Sequence, residues 1–298
     1  MKSERPILDR VPPRQQGDWD IRGALNFMLG GAGAGLLAAV ACATPLGLDL
    51  PIMELLGLAL VGAGLFCVWL KIGRPWRALH VFRRPSTSWM SREAWLAPVV
   101  FACGAAAILT QAALFFYVAG LLGLVYAYAQ GRILKANIGI PAWRRWSCVV
   151  LIVATALAEG FGLLSIGAVL WPALTPFGYA LAVAIALRYA AWRAYRADLR
   201  ETGAPSGTLQ VFDAFAFNFG LIGHGAALVL AVAGAYASQP LVAAAGGFLA
   251  SLAGALFKYT LVCRAAFTQG FSLPRTPARG KGKSGVGAQP GWQAGRGS

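Results

Sequence analysis

The 298-residue chain is 58% hydrophobic and 12% charged, with a mean hydropathy of +0.61, and a single soluble domain has no surface that could display so much apolar side chain. Its net charge of +15 would suggest nucleic acid in a soluble protein, but the cations lie in connections between apolar runs and form no stripe along a helix face, so they serve topology and anionic headgroups instead. Five single cysteines without a CxxC pair exclude an iron–sulfur or zinc framework within this chain by spacing.

The first 22 residues are charged, contain Pro6, Pro12 and Pro13 and lack an apolar core, so they read as an extended cytoplasmic arm rather than a cleavable signal peptide. A bilayer core takes roughly 20 apolar residues in a helix. Regions of that kind are Ala24 to Ala43, Ile52 to Leu70, Ala94 to Gln130, Ser147 to Leu170, Leu174 to Leu187, Ala214 to Ala237 and Leu241 to Phe257. As one helix the Ala94 to Gln130 region would be about 55 Å long at 1.5 Å per residue, so a hairpin turning near Thr110 and Gln111 is expected there. The result is an all-α bundle of about eight spans over residues 23–270, followed by a disordered basic tail, 271–298, rich in Gly, Pro and Ser.

Charge tests the hairpin independently. All 26 Lys and Arg fall in the arm, between Lys71 and Arg92, between Arg132 and Arg145, between Arg188 and Arg200, or from Lys258 onward, and the alternate connections carry none. An even number of spans puts all five segments on one side, and the positive-inside rule makes that side cytoplasmic, with both termini. The expected location is the cytoplasmic (inner) membrane. Gly31 with Gly35, and Gly247 with Ser251, stand in small-xxx-small spacing that lets helix backbones approach closely.

The connection Lys71-Ile-Gly-Arg-Pro-Trp-Arg-Ala-Leu-His80-Val-Phe-Arg-Arg-Pro-Ser-Thr-Ser-Trp-Met90-Ser-Arg-Glu93 is the most informative. Pro75 suits the first turn of a short interfacial helix and Pro85 ends it, with Arg77, His80 and Arg84 on one face and Trp76 and Leu79 toward the apolar side. Ser88 or Ser91 can cap the next span, placing Glu93 in its first turn. His80, Arg92 and Glu93 then converge at a water–lipid boundary suited to proton-coupled chemistry on an amphipathic substrate.

Within the spans, Glu159 is an intramembrane carboxylate and therefore a functional candidate. Asp213 and His224, eleven residues apart, would share a helix face with Phe217 and Gly220. A proton path through Glu159, Asp213 and His224 is the corresponding expectation, with hydrogen-bonded packing as the alternative for each. Lys258 and Tyr259 close the last span on the basic side, where they can snorkel.

The stretch GRPWRALHVFRRPSTSWMSRE resembles the Gly-Arg-Pro and Ser-Trp-x-Ser-Arg-Glu signature of the membrane-anchor subunits of molybdopterin oxidoreductases, in the dimethyl sulfoxide reductase and polysulfide reductase (NrfD-like) group. The resemblance extends to FMLGGAGAG in the first span, to Ile140-Pro-Ala-Trp143 and to Gln269-Gly-Phe-Ser-Leu-Pro274 with Arg279-Gly280, and its best-matched branch is similar to phenylacetyl-CoA:acceptor oxidoreductase. It implies a subunit that is not an enzyme by itself. Such a subunit exchanges electrons between a membrane quinone and an iron–sulfur subunit, which serves a molybdopterin catalytic subunit. Arg74, Arg77, His80, Arg92 and Glu93, with Tyr259 as a further donor, are then the expected quinone-binding residues. Haem is not expected in this chain, because its only histidines, His80 and His224, fall in a loop and inside a span. A proton-coupled secondary transporter using Glu159 and His224 is the alternative, although no repeat of the kind common in transporters is evident.

Overall fold

A computed structural model of the chain describes residues 10–47, 50–72 and 75–272; Arg74 and the expected disordered tail, apart from Phe271 and Ser272, lie outside the described residues. Eight long helical rods follow one another: α1 (Ile21–Leu46), α2 (Pro51–Lys71), α3 (Trp89–Thr110), α4 (Ala113–Ala136), α5 (Trp146–Gly167), α6 (Phe177–Glu201), α7 (Ser206–Tyr236) and α8 (Pro240–Arg264). Seven are long and apolar enough to cross a membrane. The exception, α6, has the length at 25 residues, but Arg188 near its middle and Arg193, Arg196, Asp198 and Arg200 in its C-terminal half lower its apolarity. The protein is an all-helical, multi-pass membrane protein.

Local sequence explains the helix boundaries. The Asp20 side chain accepts from the amides of Arg22 and Gly23 at the start of α1, and the Arg22 guanidinium beside it holds its carboxyl below the usual range. Pro51 and Pro240 open α2 and α8, where a missing N–H costs nothing. The hairpin between α3 and α4 turns at Gln111, whose φ of 54° reverses the chain in two residues, as the length argument requires.

The rods form two groups of four, α1 to α4 and α5 to α8, joined where α1 meets α5 and α8 and where α4 meets α5. Helices α1 and α5 occupy the centre, and at their crossing a Cβ on Gly35 would meet the Ala156 carbonyl while one on Gly160 would meet the Gly35 backbone. Only glycine permits that approach. Gly247 likewise packs on Gly162 of α5, but Gly31 faces the side chains of Lys258 and Gln130 rather than a helix backbone, so its small size makes room for polar groups.

Two apolar cores fill the ends of the bundle. One, at the end where residues 10–20 and 137–145 lie, contains Phe27, Trp143, Tyr195, Phe212, Phe257 and Leu261; the other gathers Leu36, Val40, Met53, Phe116, Leu164 and Leu174. Large side chains such as Leu55, Leu109, Leu121, Val183 and Phe248 are exposed on the outside, where hydrocarbon is their solvent.

Residues 10–20 cross the basic end and bind the segment that follows α8. A two-residue antiparallel ladder pairs Arg10–Val11 (β1) with Phe271–Ser272 (β2), the Gln16 amide donates to the Ala266 carbonyl at 2.8 Å, and the Gln16 side chain donates to Val262 at 2.9 Å. The beginning and end of the bundle therefore share one face, as an even number of rods requires, and α6 packs alongside α5 and α7 despite its arginines. Trp143 donates to the Leu261 carbonyl at 2.9 Å and Tyr195 to Ala142 at 2.8 Å, so this face is an ordered cap.

Candidate functional site

An apolar cleft of about 590 Å³ lies between the C-terminal half of α2, a nine-residue 3₁₀ helix (Pro75–Arg83) and the first turns of α3. Its volume is within the ~300–1,000 Å³ typical of ligand pockets. Phe66, Trp69, Trp76, Leu79, Phe82 and Phe101 contribute walls, and Glu93 is the one charged residue in the lining. Phe66, Trp69, Trp76 and Leu79 are also exposed, so the cleft is open on the side that faces lipid.

Glu93 is buried, one turn into α3. Its Oε1 accepts from the Asn26 side-chain amide at 3.3 Å, and Tyr126 and Gln130 of α4 stand beside it. Asn26 opens a π-helical turn, Asn26–Gly30, inside α1; such turns often mark functional positions because they re-aim backbone groups. Here the turn presents the Asn26 carbonyl to the Gln130 side chain, which donates to it at 2.9 Å. Asn26 Oδ1, Tyr126 Oη and Gln130 Oε1 are buried without a hydrogen-bond partner among the described residues, leaving polar capacity next to the cleft.

Behind this group the polar side chains continue across the bundle. Gln130 Oε1 is 3.1 Å from the point where a Gly31 Cβ would stand, and Lys258 Nζ borders the same point. Lys258 pairs with Glu159, and both are fully buried. Beyond Glu159 lies Arg188 of α6, also fully buried. Its guanidinium donates to the carbonyls of Ala250 and Gly223, each at 2.7 Å, and to His224 Nε2 at 3.2 Å. His224 Nδ1 contacts the Phe219 carbonyl at 2.7 Å; with Nε2 accepting from Arg188, Nδ1 carries the proton and donates. Both ring nitrogens are engaged.

The structure redistributes the residues singled out from sequence. Arg77 and His80 are exposed and stand outside the lining of the cleft, on the 3₁₀ helix that supplies Ala78, Leu79, Val81 and Phe82 to it. A 3₁₀ helix repeats every three residues, so Arg77 and His80 align with Arg83, and Arg84 falls beyond the helix. Ser88 is the cap of α3, accepting from the Ser91 amide at 3.3 Å. Arg92 points back into the connection, donating to Pro85 at 2.8 Å and Ser86 at 2.7 Å and stacking on Trp89 at 4.3 Å. Arg132 covers the same indole at 4.2 Å and Trp146 at 4.6 Å. Tyr259 is half-buried against the basic-end core, away from the cleft.

Two expectations are corrected. Asp213 does not share a buried face with His224: a second π turn, Leu221–Ala226, shifts the helical phase, and Asp213 is 54% exposed, paired with Arg196 and Arg200. Lys258 does not snorkel, because its ammonium turns inward to Glu159, as Arg188 does toward the bundle centre. Sequence reasoning also missed Asn26, Tyr126, Gln130, Arg188 and Glu54. Glu54 is fully buried, with neither carboxylate oxygen hydrogen-bonded among the described residues. Intramembrane polarity, the signal that found Glu159, applies equally to each. Among the described residues no three His, Cys, Asp or Glu side chains converge to hold a metal ion.

Residues 51–176 match the family model of the DMSO reductase anchor subunit (DmsC). The resemblance read from the loop signature holds over that stretch, which is less than half of the chain and runs from α2 through α5. It contains the cleft, Glu93, Tyr126, Gln130 and Glu159, whereas Asn26, Arg188, His224 and Lys258 lie outside it. No curated protein matches the chain.

Proposed function

We propose that the chain is the quinone-reactive membrane anchor of an oxidoreductase complex, exchanging electrons between the quinone pool and an iron–sulfur subunit that serves a molybdopterin catalytic subunit. The observation that carries this reading is Glu93, the one charged group in an apolar, lipid-accessible cleft inside the segment that matches the DmsC model. A bound quinone supplies reversible two-electron, two-proton chemistry. The residues fit it: aromatic walls accept a flat ring, the open side admits a tail, and Glu93 can exchange a proton with a ring oxygen while Asn26 holds the carboxyl in place.

His80 stands at the rim, where it can pass protons between Glu93 and water, and Arg77 with the other outer cations favours negative charge near the ring. The iron–sulfur subunit docks on the basic face, because the longest connection, between α2 and α3, and the 10–20 segment lie there with the loop cations. By the positive-inside rule that face is cytoplasmic.

Trp69 and Trp76 line the cleft, so titrating the purified chain with menadione should quench tryptophan fluorescence saturably. Glu93→Gln should weaken binding by about tenfold, as for loss of one good hydrogen bond worth ~1.4 kcal/mol. Absence of saturable quenching would remove the quinone site. Mild-detergent purification from native membrane, followed by mass spectrometry, tests the partners: the reading requires an iron–sulfur protein and a molybdopterin protein to co-purify.

A further inference from the structure

Besides Glu54 and Arg196, the bundle buries two cations and two carboxylates in succession from the cleft to α6: Glu93, Lys258, Glu159 and Arg188. Such groups are costly in a membrane interior unless their charges balance. With Glu93 carrying a proton the set has an excess positive charge; with Glu93 ionised it is neutral. Lys258 lies between the two carboxylates. It pairs with Glu159, and its Nζ fills the space that the missing Gly31 side chain leaves, a point that Gln130 Oε1, an acceptor without a hydrogen-bond partner among the described residues, approaches to 3.1 Å. Gln130 is joined through the Asn26 carbonyl, and Asn26 through its amide, to Glu93.

We propose that Lys258 is a counter-ion shared between Glu159 and Glu93, which lets Glu93 hold negative charge after it has protonated a quinone in the cleft. This rests on the quinone reading above. In the reductive direction Glu93 gives its carboxyl proton to one ring oxygen, water at the rim supplies the second proton, and two electrons arrive from the iron–sulfur partner. The Lys258 ammonium then turns through the Gly31 space toward Gln130, while Arg188 remains as the counter-charge of Glu159. Oxidation reverses each step. Lys258 is a positioning residue: it touches neither the cleft lining nor the reacting atoms, and it acts through Gln130 and Asn26.

The test is infrared difference spectroscopy of the purified full-length chain with menadione bound, reduced and reoxidised electrochemically. Reduction should remove a carboxyl C=O band that is absent from Glu93→Gln, and should perturb a carboxylate band that is absent from Glu159→Gln, although Glu159 does not line the cleft. In Lys258→Met the Glu159 signal should no longer respond to the redox state. The double variant Glu159→Gln/Lys258→Met removes both buried charges together and provides a folded control, which should bind menadione and lack the carboxylate band. A Glu159 signal indifferent to reduction, or unchanged coupling in Lys258→Met, would overturn the shared counter-ion and leave the quinone site standing. Failure of menadione to bind the wild-type chain would overturn both.

Discussion

Lys258 and Glu159 form an ion pair in which the side chains are 0% and 1% exposed, near the crossing of the two most central helices. Such a pair contributes little net stability over a matched apolar pair, but removing one member strands the other. Lys258→Ala is therefore expected to lower stability by about 3–5 kcal/mol, and Glu159→Gln/Lys258→Met to recover most of that loss. Thermal unfolding in detergent, followed by intrinsic fluorescence, checks the order. If the double variant were no more stable than Lys258→Ala, packing rather than charge would dominate the site.

Gly31 and Gly35 have the same spacing signature and different tasks, so they should respond differently to alanine. At Gly35 a Cβ meets the Ala156 backbone, which cannot yield without moving α1 away from α5; overpacking of this kind costs about 1–3 kcal/mol or more. At Gly31 the nearest atoms are the ends of the Lys258 and Gln130 side chains, which can move. Gly31→Ala should leave the unfolding temperature close to wild type while displacing Lys258, seen as an altered Glu159 carboxylate band in the infrared spectrum. A large loss of stability from Gly31→Ala would show that the Lys258 ammonium has no second position.

Trp89 lies between the guanidinium groups of Arg92 and Arg132, at 4.3 and 4.2 Å from its ring centre, and ties the end of the interfacial connection to α4. Each such contact is worth ~0.5–1 kcal/mol at partly exposed sites. Trp89→Ala should therefore loosen the 85–92 segment. Faster proteolytic cleavage in that loop, with the rest of the chain resistant, is the expected readout; Trp89→Phe should fall between the two.

The sequence revealed the architecture because lipid imposes simple rules. Span length predicted the Gln111 hairpin, and charge alternation predicted that both ends of the bundle share a face. Those rules describe where charges normally stop, and they fail where a charge is placed for another reason. Arg188 and Lys258 were assigned to the basic edge with their neighbours, yet both turn into the interior, Arg188 because Gly223, Ala250 and His224 supply acceptors and Lys258 because Glu159 supplies a carboxylate. No periodicity reports the side chain of a distant span. The separation of Asp213 from His224 was hidden for a different reason: regular 3.6-residue spacing does not anticipate a π turn at Leu221–Ala226. Glu93 was found from its neighbourhood in the loop, but its link through Asn26 to Gln130 depends on the π turn in α1.

Asp213 offers a way to separate the surface charges from the buried set. It is 54% exposed and pairs with the exposed Arg200 and the buried Arg196, so Asp213→Asn should cost about 1–3 kcal/mol, more than an exposed pair, because it takes the carboxylate away from a buried guanidinium. It should leave the redox-linked carboxyl bands unchanged. An altered band would place Asp213 on a proton route that the geometry does not show.

The sharpest comparison is among the residues of the loop and first turn of α3, measured as quinol-coupled turnover of the assembled complex against dye-coupled turnover of its partner subunits. Of Glu93, His80 and Arg92 only Glu93 lines the cleft, so Glu93→Gln should reduce quinol-coupled turnover by about two orders of magnitude or more, the general acid–base range being about 10²–10⁴. His80→Ala, at the rim, removes only a relay that water can replace, and should cost about threefold or less, with partial rescue by added imidazole. Arg92→Ala should act through the loop it closes onto Pro85 and Ser86, raising the quinol concentration needed for half-maximal rate more than it lowers the maximal rate. Dye-coupled turnover should be unchanged in all three. If His80→Ala proved as damaging as Glu93→Gln, the 3₁₀ helix would have to close over the cleft during turnover and bring His80 to the ring.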